Sequence, residues 1–127
     1  MISLTGFAVA ALLLLLAALA VFQVALIAGA PLGHFAWGGQ HRVLPAKLRV
    51  GSVVSIVLYG IFVLIILAKV GAVSLDETVA DVAMWVLFAY FVLGILMNAI
   101  SRSKPERYLM TPVCVVLAAA SLLVALG

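Results

Sequence analysis

Charge is what this sequence has least of. Its 127 residues include seven Lys or Arg and four Asp or Glu, 9% in all, against 69% hydrophobic residues. Soluble domains carry about 25% charged residues, so an aqueous globule is excluded and a membrane protein is expected. Cysteine is nearly missing too: Cys114 stands alone in an apolar run, and no disulfide framework is available. No run alternates with period two, which removes a membrane barrel. The spacings HExxH and CxxC, a glycine-rich phosphate motif, a heptad seam and an internal repeat are all absent. His34 and His41 are the only histidines and both lie outside the apolar runs. A metal site would need Glu106 or Cys114 as a further ligand with no supporting spacing, and a membrane haem would need axial ligands at depth that no span offers, so no cofactor is expected.

What the sequence does have is long uncharged runs. They extend from Met1 to Ala30, Val50 to Ala68, Val82 to Ser101 and Tyr108 to Gly127. Each reaches the ~20 residues that cross a bilayer core as a helix. The expectation is an all-α polytopic membrane protein, one four-transmembrane-helix bundle with spans at about 3-30, 49-72, 77-101 and 107-126 and a long loop at 31-48. A secretory signal peptide opens on a basic segment, and MISLTGF has none, so the first run is expected as a retained span.

The net charge of +3 falls in two short tracts, which points to membrane topology and anionic headgroups, with no nucleic-acid partner. Arg42, Lys47 and Arg49 lie in the first connector and Arg102, Lys104 and Arg107 in the third, while the second has Lys69 against Asp76, Glu77 and Asp81. By the positive-inside rule the chain is expected in the plasma (inner) membrane with loops 31-48 and 102-107 cytoplasmic and both termini outside.

Local chemistry marks the helix ends. Ser74 with Glu77, and Ser103 with Glu106, have the S-x-x-E spacing of a capping box, which assigns both glutamates to backbone N–H groups. Asp76 and Asp81 suit the positive end of the third helix. Pro112 is a kinking residue if the fourth helix begins near Lys104, or a first-turn proline if it begins at Thr111. Gln23, the one strongly polar side chain of the first span, is expected in an interhelical hydrogen bond.

Polar residues recur at helical spacing in the other spans: Ser52, Ser55 and Tyr59; Tyr90, Gly94, Asn98 and Ser101; Arg107, Thr111, Cys114 and Ala118. Lipid tails disfavour polar atoms, so these faces turn inward. They form either interhelical hydrogen bonds or a vestibule lined by Ser52, Ser55, Tyr59, Asn98, Ser101 and Thr111. Above them runs the segment PLGHFAWGGQHRVLPAKLR, a connector long enough to act as a functional loop. Gly33, Gly38 and Gly39 permit close backbone approach, Phe35 and Trp37 suit the headgroup interface, and His34 and His41 are expected as interfacial residues.

The strings GAPLGHFAWGG, LPAKLR and NAISRSKPERYLMTP resemble those of a family of small, uncharacterised four-span bacterial integral membrane proteins. The resemblance covers most of the chain and implies the four spans, without an activity. In size the chain is also similar to small multidrug-resistance transporters, but those depend on a membrane-embedded carboxylate, and none lies in the interior of these spans.

The leading expectation is therefore a non-catalytic binding protein. An anionic amphiphile or lipid, or a partner membrane protein or second copy, is held at the cytoplasmic face by Arg42, Arg102, Arg107 and loop backbone including Trp37, Gly38 and Gly39. A small-solute channel or transporter is the alternative. An enzyme is the least favoured reading and requires His34 or His41 within reach of Glu106, Ser101 or Cys114.

Overall fold

The structure, a computed structural model, describes residues 3–127. Among them are four long helices and no strand: α1 (Leu4–Ile27), α2 (Ala46–Lys69), α3 (Glu77–Ala99) and α4 (Lys104–Leu126). Each is long and apolar enough to cross a membrane. At ~1.5 Å per residue each spans roughly 35 Å, slightly more than a ~30 Å hydrocarbon core. The outward faces carry Leu14, Val57, Leu64 and Val86, all exposed. In lipid such faces need no cover.

The helices run up and down around a ring in chain order, with α4 returning against α1. The α3/α4 pair packs most closely and the α2/α3 seam least among neighbours. One end of the bundle holds the 31–45 loop; there α1 and α3 finish while α2 and α4 begin. The packed core occupies the other end. It is built from Leu12 and Leu16 of α1, Phe62 and Ile66 of α2, Met84 and Leu87 of α3, and Leu117 and Val124 of α4. Phe62 closes the α2/α3 seam there, its ring centroid 5.1 Å from Tyr90 and 5.8 Å from Phe91. Near that end Lys69 and Asp81 form an ion pair at 2.7 Å.

Helix termination follows local chemistry. α1 and α2 each end in a six-to-one backbone bond, Ala30 N to Ala25 O (3.0 Å) and Ala72 N to Leu67 O (2.8 Å), with Gly29 and Gly71 at the left-handed position. The starts of α3 and α4 differ from the capping boxes expected from sequence. Asp76, directly ahead of the first helical residue, caps α3 by accepting from Val79 N at 3.2 Å; Ser74 lies two residues too early. Asp81 is a turn further in and pairs with Lys69 instead of facing the helix end. Ser103 stands at the start of α4 but makes no side-chain cap; its hydroxyl is turned to the loop and donates to His34 O. Since α4 begins at Lys104, Pro112 is an interior proline, and it has no N–H to donate to the Tyr108 carbonyl.

Candidate functional site

The loop between α1 and α2 is a folded strap. Gly33 N donates to Arg42 O at 2.8 Å and pinches its base. Between these points run two single 3-10 turns, Gly33–Phe35 and Trp37–Gly39, joined by a 2.9 Å contact of His34 Nδ1 with Gly39 O. Leu44 is fully buried and anchors the return. Arg49 then ties the two helix ends together, donating to Leu44 O (2.8 Å) and to the terminal α1 carbonyl Ile27 O (3.4 Å). A cation there also faces the negative end of α1. Sequence reading treated Arg49 as a topology residue and headgroup anchor.

Trp37 fastens the strap to α2. It is the only non-glycine residue with positive φ (53°) among the described residues, a conformation that costs of order 1–3 kcal/mol and persists only when neighbours hold it. Its indole Nε1 donates to the buried Ser52 Oγ at 3.3 Å. The ring lies so close to Gly51 that a Cβ there would come within 2.9 Å of ring carbons. On the other side the strap is fastened to α4: Gly38 N donates to Glu106 Oε2 at 3.2 Å, and Gly39 sits where any side chain would collide with Ser103.

Beneath the strap is a partly enclosed cavity of about 720 Å³, within the ~300–1,000 Å³ range of small-molecule sites. Phe35, Trp37 and Gly38 roof it, and Phe91 and Leu117 reach its inner end at the packed core. Its walls include Gln23 of α1, Ser55 and Tyr59 of α2, and Gly94 and Asn98 of α3. Tyr90, Leu93, Met97 and Ile100 line it too, yet all four are exposed on the flank of the bundle. The α2/α3 seam, shut by Phe62 in the far half, is therefore open in the loop half.

Seven of the residues expected at a site meet here: Trp37, Gly38, Ser55, Tyr59, Asn98, Ser101 and Arg102 line the cavity. The other seven do not. His34 and Gly39 serve the strap's own bonds, and Ser52 is held behind Trp37. His41 and Arg42 are exposed on the loop's return. The Arg107 guanidinium lies 4.9 Å over the Tyr108 ring, and Thr111 Oγ1 is buried without a partner. Neither histidine ring hydrogen-bonds to Glu106, Ser101 or Cys114 among the described residues.

The lining polar groups are also helix glue. Gln23 Nε2 donates to Tyr59 Oη (3.2 Å), the interhelical bond expected of it. Asn98 Nδ2 donates to Gly94 O (2.8 Å) and reaches Cys114 Sγ (3.4 Å), while Ser55 returns to Gly51 O (3.1 Å). What sequence reading missed is the wall given by α4. Glu106, Met110, Val113 and Leu117 join Cys114 of the expected face in lining the cavity, and at the loop end the wall lies one residue before Arg107 and Thr111. The signal was the i, i+4, i+7, i+8, i+11 spacing that starts at Glu106. Glu106 is only 7% exposed, turned inward and not capping its own helix.

No group of three or more His, Cys, Asp or Glu assembles among the described residues. No protein-family model matches the chain, and no curated protein or solved structure is similar to it.

Proposed function

We propose that this is a non-catalytic membrane protein that binds a lipid-like amphiphile in the cavity under the strap, with an anionic group of the ligand at Arg102 and its chain leaving between α2 and α3. One observation carries the reading: the cavity has its charged groups, Arg102 and Glu106, at the strap, is lined mainly by apolar and aromatic side chains toward its inner end, and is flanked on its lipid-facing side by the exposed Tyr90, Leu93 and Met97. An amphiphile has that same division and would reach the site laterally without crossing the headgroup layer. The six basic residues of the loop-end connectors favour a cytoplasmic position for this end, in the plasma membrane, and attract anionic lipid to it. A small-solute channel would have to pass Phe62, Met84, Phe91 and Leu117, which fill the far half; binding is favoured for that reason.

Native mass spectrometry of protein gently extracted from its own membrane tests the proposal. A defined lipid-sized adduct is expected on the wild type and should be lost from the double variant Asn98→Leu, Arg102→Ala. A wild type that carries no specific adduct would refute it.

A further inference from the structure

Glu106 departs from the pattern of the site. It is a carboxylate, 7% exposed, in the first turn of α4, yet the ion pair found among the described residues is Lys69–Asp81, at the opposite end of the bundle. Oε2 accepts a single backbone N–H, from Gly38, and Oε1 takes no hydrogen bond while not being sealed from solvent. A buried carboxylate with one neutral donor and the field of a helix end is under-compensated, because an ionised acid offers about four acceptor positions. The cavity on which it opens holds a second acceptor without a donor. Gln23, on the α1 wall, keeps its amide oxygen buried and without a partner. Aromatic rings from Phe35, Trp37, Tyr59, Tyr90 and Phe91 supply much of the remaining lining. Acceptors and π surfaces favour a group that donates only and carries positive charge.

Resting on the amphiphile reading above, we infer that the head recognised at this site carries a protonated amine, with Glu106 as its counter-charge and the exposed Arg102 free to hold an adjacent phosphate. An alkylammonium on an apolar chain is the required chemistry. A membrane phospholipid with an ethanolamine head has it, and so does a single-chain cationic amphiphile.

The test uses the full chain in phosphatidylcholine nanodiscs with Trp85→Phe, so that fluorescence reports Trp37 on the cavity roof. Dodecylammonium should bind saturably and at least about tenfold more strongly than dodecyl sulfate, since the buried Glu106 attracts one head and repels the other while Arg102, exposed to solvent, acts more weakly. Glu106→Gln should abolish the preference or turn it toward dodecyl sulfate, because Arg102 remains, and Glu106→Asp should keep the preference. Phosphatidylethanolamine should displace dodecylammonium, with Arg102→Ala weakening that displacement but not dodecylammonium binding. If phosphatidylethanolamine fails to displace while dodecylammonium still binds through Glu106, the amine assignment stands and the source is a single-chain cation. Equal or stronger binding of dodecyl sulfate by the wild type, which needs no variant to fold, would overturn the amine assignment and leave the amphiphile reading intact. So would a preference that survives Glu106→Gln. No saturable response to either probe would overturn both.

Discussion

The two halves of this bundle are built on the same four helices and differ in what projects between them. In the half away from the loop, Phe62 and Ile66 of α2 face Met84, Leu87 and Phe91 of α3, and the space is filled. One to two turns along the same helices the facing residues become Ser55 on α2 and Gly94 and Asn98 on α3. There the strap roofs a space that the spans leave open. Backbone geometry alone thus does not decide whether a membrane bundle is solid or hollow. Side-chain volume does, and the small residues that let helices approach elsewhere here leave room because the strap spans the top.

Four substitutions would break or sharpen that contrast, ordered by their effect on unfolding free energy. Phe62→Ala should remove the wedge that shuts the α2/α3 seam and cost about 3 kcal/mol, read by thermal unfolding in detergent; an unchanged melting curve would mean the far half is not the stable one. Gly51→Leu should drive the Trp37 ring off α2 at a cost of about 2 kcal/mol. Its emission should shift to the red and protease should cut the strap, and an intact strap would show that the contact at Gly51 is dispensable. Tyr59→Phe takes the hydroxyl from Gln23 and should cost ~0.6 kcal/mol, the average for interhelical hydrogen bonds in membranes, measured against Gln23→Leu in a double-mutant cycle. Smallest in stability is Ser55→Phe, which adds a ring inside the cavity and should change it by less than about 0.5 kcal/mol while eliminating the bound adduct. Loss of folding in that variant would mean the hollow half tolerates no added volume.

The spans were legible because a bilayer demands them: a helix that crosses lipid must be long and nearly uncharged, and composition states this directly. Gln23 was legible for the same reason, as a lone amide in an apolar run needs a partner. Less was readable where one spacing serves two roles. Ser103 and Glu106 are three residues apart, as a capping box requires, but three residues is also most of a turn, and Glu106 uses it to face the cavity. Of the α4 face expected at Arg107, Thr111, Cys114 and Ala118, Cys114 lines the cavity and Ala118 is buried, while Arg107 and Thr111 are one residue off. One residue is about 100° of helix rotation, and it separates the buried Glu106 from Arg107, whose guanidinium lies over the Tyr108 ring. The polar lining of the cavity was legible in the helical spacing of Ser55, Tyr59, Asn98 and Ser101, but its volume was not, because that depends on which small residues from separate helices come to face one another.

The fastenings of the strap also bear on biogenesis. Its bonds to Glu106 and Ser103 link residues 68 and 69 positions apart in the chain, so the loop leaves the ribosome well before the groups that hold it exist. Until α4 is inserted, Trp37 has Ser52 and Gly51 to rest on, but Gly38 and His34 have no acceptor or donor on the missing helix. The site is therefore assembled last although its roof is synthesised early. A truncated or stalled chain would carry three plausible spans and an unlatched strap, and a quality-control protease could distinguish it from the finished protein by that loop alone.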